Sequence, residues 1–144
     1  MNENDIQIVL KIILDSLKEK KFIWRLEGSS NLVVQGIDVS VRDIDITTND
    51  DGIKIFRTSL KKYIVKDYYS KKIKGPSIIC DINGFEIEIN YYGDRRTDMF
   101  DKTKILSWHN LQVPILPLED AKKCYEILNR KEKVELISKY LESK

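Results

Sequence analysis

Apolar positions Ile6, Ile8, Val9, Ile12, Ile13 and Leu17 recur at helical spacing, which predicts an amphipathic helix over residues 3–20 that closes in the basic run Lys18 to Lys21. Residues 21–26 then read as a first strand carrying the chain to Gly28. Ser29 or Ser30 can cap a short helix over Asn31 to Gln35, and Gly36 ends it. Alternation resumes from Val39 to Thr48 as a second strand. Asn49-Asp50-Asp51-Gly52 supplies a turn and a helix start, with a third helix over residues 53–62.

Tyr63 to Tyr69 predicts another strand, followed by the basic loop Lys71 to Pro76. Residues 77–82 and 85–92 are apolar and β-branched, and Asn83-Gly84 lies between them. Asn-Gly in that setting is a strong hairpin signal, because both residues tolerate the positive φ of a tight turn. A second hairpin is expected from residues 105–108 and 112–116 across His109-Asn110. Pro117 opens a helical region over 118–128 and 134–141, joined at Asn129-Arg130.

The elements add up to an α/β protein of the α+β type, a mixed β-sheet flanked by helices with a C-terminal helical pair. No repeat, low-complexity tract or linker divides it, so residues 1–144 read as one domain. Its parts are an N-terminal helix (3–20), a core (about 21–116) and C-terminal helices (about 118–142).

Composition narrows the partners. The formal net charge is only +2, so long-range attraction to nucleic acid has little support from total charge. The longest apolar runs are far too short to span a bilayer, and no basic segment leads into an apolar one at the N-terminus. Cys80 and Cys124 are isolated and lack metal-ligand spacing, which fits reduced core cysteines. A cytoplasmic location without membrane contact is the expectation.

The candidate chemistry lies between Leu26 and Ile46. Gly28-Ser29 opens a helix, where backbone N–H groups and the Ser29 hydroxyl can meet an anion and the missing Cβ of Gly28 lets a phosphate approach. Thirteen residues separate Ser29 from Asp43-Ile44-Asp45. On a strand, Asp43 and Asp45 share one face about 6–7 Å apart, repel each other and call for a counter-charge such as Mg²⁺. Each feature alone has an ordinary reading, a plain helix cap or a solvated strand face. Together they favour a nucleotide site. In Phe85 to Asn90 the polar face carries Glu86, Glu88 and Asn90, and Glu88 lies deeper in the strand than Glu86. An acid there can bind an ion or accept a proton from an attacking hydroxyl.

Leu26-Glu27-Gly28-Ser29, Asp43-Ile44-Asp45 and Glu88 resemble the signature of the minimal nucleotidyltransferases of the DNA polymerase β superfamily. A weaker likeness runs through Val113 to Asp120 and the helices around Arg130 and Lys131, so it spans about residues 20–142. The resemblance implies a nucleotidyltransferase-like fold and an enzyme moving an NMP from an NTP, with ATP the expected donor, to an acceptor hydroxyl with release of pyrophosphate. It implies Asp43, Asp45 and Glu88 as metal ligands and catalytic acids, two Mg²⁺ ions, and Gly28 and Ser29 on the terminal phosphates. It leaves the acceptor open, with a protein or small molecule ahead of nucleic acid, and it implies a helical partner protein or a homodimer completing the site. Ser30-Asn31-Leu32 stands where antitoxin-type members often carry Ala-Arg-Gly. The alternative is an inactive nucleotide-binding or interaction module, of toxin–antitoxin type. Arg130, Lys131 and Lys133 can face the cleft or solvent with equal ease, and Lys71, Lys72 and Lys74 read as a solvated loop.

Overall fold

The computed structural model describes residues 1–144. Helix α1 (Glu3–Ser16) is opened by a reciprocal cap in which Asn2 and Asp5 each accept the other's backbone N–H. Strand β1 (Trp24–Glu27) runs directly into helix α2 (Gly28–Val34), and strand β2 (Ile44–Thr48) leads to helix α3 (Asp50–Ser59). Strands β3 (Ile64–Ser70), β4 (Gly75–Ile82) and β5 (Phe85–Asn90) follow, then the pair β6 (Lys104–Trp108) and β7 (Leu111–Ile115), then helices α4 (Leu118–Ile127) and α5 (Lys131–Glu142).

The main sheet has the order β1-β2-β5-β4-β3. Only β2 and β5 are parallel; every other pair is antiparallel. The expected α+β fold with a mixed sheet is present. One sheet face is apolar: Trp24, Leu26, Ile44, Ile46, Ile78, Cys80, Ile87 and Ile89 pack with Ile6, Val9, Leu10 and Ile13 of α1 and Ile53 and Phe56 of α3. Phe56 is fully buried and meets Phe22 and Trp24 edge-on at 5.3 and 5.7 Å.

A second, smaller core joins Leu32 of α2 to Ala121, Cys124 and Tyr125 of α4 and Ile137 of α5. The buried Asn31 side chain holds that junction: its Nδ2 donates to the Leu116 carbonyl at 3.0 Å and its Oδ1 accepts the Leu116 N–H at 3.0 Å. Both cysteines are free and buried. No helix is long and apolar enough to cross a membrane.

Several boundaries differ from the sequence pattern. Helix α1 stops at Ser16, not 20, because the chain turns over the buried Leu17 and Glu19 takes a left-handed φ of 70°. Helix α3 starts earlier, at Asp50, because the Asn49 side chain accepts the Gly52 N–H. The main correction concerns residues 39–43, which are not strand. The β1–β2 ladder ends at Glu27↔Asp45, since the chain beyond Glu27 turns into α2 and leaves nothing for Asp43 to pair with. Both predicted hairpin turns stand, with positive φ at Asn83 and Gly84 and at His109 and Asn110.

Candidate active site

Strand register builds the centre of the site. Glu27 of β1 pairs with Asp45 of β2, and Asp45 pairs with Glu88 of β5. Directly paired residues point to the same sheet face, so three carboxylates form a row across three adjacent strands. Asp43 lies in the bend just before β2. It does not share a strand face with Asp45 as the alternation predicted, yet its charge still reaches Asp45. Burial first, and then the negative charges of Glu88, Asp43, Glu27 and Glu86, push the Asp45 carboxyl up to about 7.

Glu27 was not singled out by the sequence reading. Its signal was the alternation Trp24-Arg25-Leu26-Glu27, which places Arg25 and Glu27 together on the polar face. Arg25 is completely buried there. It donates to Glu27 Oε2 at 3.2 Å, to the Thr97 carbonyl at 3.1 Å and to the Asp98 carbonyl. Arg25 thereby ties the irregular segment 97–98 across the sheet. Burial raises the Glu27 carboxyl above the ordinary range, and the Arg25 charge opposes that rise.

Glu88 is oriented by a hydrogen-bond chain. Ser77 Oγ donates to Asn90 Oδ1 at 2.6 Å, and Asn90 Nδ2 donates to Glu88 Oε1 at 3.0 Å. Ser77 and Asn90 are both buried, so this chain fixes one Glu88 oxygen and leaves the other free. Glu86 is exposed and stands one register step beyond, opposite Asp81.

Gly28 has φ +63°, and a Cβ there would lie 2.8 Å from Asp45 Oδ2. Its missing side chain therefore makes room for the Asp45 carboxylate. The expected serine cap is absent: Glu27 occupies the capping position, and Ser30 Oγ donates back to the Glu27 carbonyl at 3.0 Å. Ser29 is left facing a cleft of about 280 Å³, lined also by Glu27, Gly28, Asp45, Tyr92, Asp94, Tyr125, Arg130 and Lys133.

The far wall of the cleft comes from the C-terminal helices. Lys133 Nζ of α5 donates to Ser29 Oγ at 3.2 Å, and Arg130 lines the same cleft. Burial and the nearby Arg130 charge lower the Lys133 ammonium below its ordinary value. Of the three basic residues, Lys133 and Arg130 thus face the cleft, and Lys131 does not line it. Tyr92 stands in the wall, where burial and the Glu27 charge push its phenol up to about 12. The carboxylates do not converge into a closed metal cage of three or more ligands. Glu27 and Asp45 face the two cations across the cleft, whereas Glu88, which continues their row on β5, and Asp43 are not part of its lining.

A mixed sheet with paired acids on its two parallel strands, and a Gly-Ser turn beside them, defines the minimal nucleotidyltransferase fold. Solved structures place the chain in that class. A "putative nucleotidyltransferase" from Thermotoga maritima superposes with a TM-score of 0.77 at 25% identity, over 100% of this chain and 97% of that one. The antibiotic-resistance factor ANT(2'')-Ia gives a TM-score of 0.63 at 11% identity, over 98% and 86% of the two chains. The lincosamide antibiotic adenylyltransferase LnuA gives 0.54 at 14% identity, over 84% of each. No family model matches the sequence, and no curated protein matches it.

Proposed function

We propose that this protein is a metal-dependent nucleotidyltransferase that moves an NMP from an NTP, ATP by preference, to an acceptor hydroxyl and releases pyrophosphate. The observation that carries the reading is the apposition across one cleft of two acids, Glu27 and Asp45, and a basic pair, Arg130 and Lys133, with Glu88 beside Asp45 in the strand register. A triphosphate needs cations along its length and tolerates carboxylates only where a metal intervenes.

Asp43, Asp45 and Glu88 suit Mg²⁺. Burial first, and then the charges of Glu88 and Asp43, hold the Asp45 carboxyl near 7, and a divalent cation would offset both by supplying the missing counter-charge. An open ligand set also matches an ion that keeps waters and takes substrate phosphates as ligands. Bound there, the metal would neutralise charge on the phosphate oxygens and acidify the acceptor hydroxyl.

The chain's own groups do the rest. Ser29, the Gly28 main chain, Lys133 and Arg130 hold the terminal phosphates and keep the α-phosphate over the acids. The acceptor oxygen forms its bond to the α-phosphorus as the bond to pyrophosphate breaks. The hydroxyl proton passes to the Glu88 oxygen that Asn90 does not engage. Asn90 and Ser77 position Glu88, and Arg25 positions Glu27. The structural neighbours ANT(2'')-Ia, solved with adenylyl-2''-tobramycin, and the lincosamide adenylyltransferase LnuA support the same reaction class.

Incubation with α-labelled NTP, Mg²⁺ and a cell extract should transfer label to an acceptor. Asp45→Asn should abolish the transfer. NTP binding that persists unchanged in Asp45→Asn and in chelator, with no transfer at all, would instead identify an inactive nucleotide-binding module.

A further inference from the structure

Charge is distributed unevenly in this molecule. The segment Lys61 to Lys74 carries six lysines and a single acid, in a chain whose total formal charge is only +2, so the remainder is net acidic. Lys61, Lys62, Lys66, Lys71, Lys72 and Lys74 are all exposed. None forms an ion pair: the lysines that do are Lys11, Lys54 and Lys139. The one acid, Asp67, is already taken by Arg57 at 2.6 Å.

Lys61 and Lys62 lie in the single helical turn (Lys61–Tyr63) that leads into β3, the open edge of the main sheet; Lys66 is on β3, and Lys71, Lys72 and Lys74 are on the turn that follows it. Aromatic rings are set among them. Lys62 Nζ stands 5.1 Å from the Tyr63 ring and Lys66 Nζ 4.0 Å from the Tyr68 ring. Tyr69 is 66% exposed, far more than a tyrosine packed into a sheet needs to be.

The basic turn touches the cleft wall. The Gly93 N–H donates to the Ile73 carbonyl at 2.9 Å, and a Cβ on Gly93 would collide with the Lys74 backbone. The residues on either side of Gly93, Tyr92 and Asp94, line the cleft. Lys74 is close enough for its charge to act on Asp94.

We propose that the β3 edge and its turn form a binding track for single-stranded nucleic acid that ends at the mouth of the cleft. The unpaired cations meet the phosphate backbone, and the exposed Tyr69 ring stacks on an unpaired base. An acidic protein partner would satisfy the lysines and leave Tyr69 unused. A duplex would hide the base face that Tyr69 needs. The proposal concerns binding and is independent of the transfer reaction.

The test is fluorescence anisotropy of the full chain with labelled twelve-nucleotide RNA and DNA single strands, the matching duplexes, heparin and polyglutamate. Single strands should bind with an affinity that falls with salt by a log–log slope of about −0.7 per phosphate contacted. Lys66→Glu with Lys71→Glu and Lys72→Glu should weaken binding at least tenfold, and Lys18→Glu with Lys20→Glu and Lys21→Glu should not. Tyr69→Ala should cost about tenfold for single strands and nothing for heparin. A preference between the RNA and DNA probes would identify the natural strand. Circular dichroism and NTP binding of each variant report that the fold and the cleft are intact. Absence of binding at low salt, equal binding of duplex or polyglutamate, or indifference to the β3 reversals would overturn the track.

Discussion

Asp45 Oδ2 stands only 2.8 Å from the point a Cβ on Gly28 would take, too close for both. The glycine of the motif is therefore coupled sterically to its aspartate, in addition to sitting at φ +63°. Gly28→Ala meets both penalties. Left-handed backbone costs a non-glycine residue about 1–2 kcal/mol, which should appear as lost stability in urea. Displacement of Asp45 should lower nucleotidyl transfer by a hundredfold or more, well beyond what the stability loss explains. Equal activity of Gly28→Ala and wild type in a labelled-NTP assay would refute the coupling.

Asp45 should make stability depend on pH in the direction opposite to a paired carboxylate. Its folded-state pKa is raised to about 7, from an ordinary value near ~4, so the folded protein holds the proton more tightly than the unfolded chain. Its contribution is full below about pH 4 and is lost as pH rises towards 7. Asp45→Asn should raise the metal-free Tm at pH 8 and leave it unchanged near pH 4. Mg²⁺ should stabilise wild type at pH 8 and have little effect at pH 5, as read by differential scanning fluorimetry.

Lys133 couples α5 to Ser29, so its loss should act on nucleotide affinity more than on folding. Lys133→Ala should weaken NTP binding about tenfold, the size of one lost charge-assisted hydrogen bond. Isothermal titration calorimetry with NTP and with the corresponding nucleoside separates the cases. An equal loss for both ligands would mean that Lys133 does not act on the phosphates.

The Ser77–Asn90–Glu88 chain should show itself as a buried network. Asn90→Ala leaves the Ser77 hydroxyl without its acceptor and should cost about 1–3 kcal/mol in denaturant unfolding. It should also lower kcat while NTP affinity is kept, because it frees Glu88 to rotate. Unchanged kcat would separate Glu88 orientation from the reaction.

Asn31 makes two hydrogen bonds to one buried residue, Leu116, and so fastens α2 to the end of β7. Asn31→Leu should destabilise the protein by about 2–3 kcal/mol, since it strands a buried Leu116 N–H. Hydrogen exchange should then rise in α4 and α5 more than in the main sheet.

The sequence by itself determined the elements and most of the motif. Helical spacing in α1, Asn-Gly between apolar runs and strict alternation in β5 are local signals, each written within a few residues. They were enough to give the mixed sheet, both hairpins and the Gly-Ser, Asp-x-Asp and Glu88 resemblance. Glu88 was preferred to Glu86 for its depth in the strand and its position after the hairpin glycine, and in the sheet it is the residue that pairs with Asp45.

Tertiary structure decided what depends on pairing between distant segments. Whether Asp43 lies on a strand rests on where β1 ends, and β1 ends because α2 begins at Gly28. Glu27 joins the acids only through its register with Asp45, and buried Arg25 finds its partners about seventy residues away, at Thr97 and Asp98. Lys133 reaches Ser29 across a sequence separation of 104 residues because Asn31 and the second core dock the C-terminal helices onto α2. Local periodicity carries no term for such contacts, so Asp45 and Glu88 could be nominated from the sequence, whereas Glu27 and the side to which Arg130 and Lys133 turn could not.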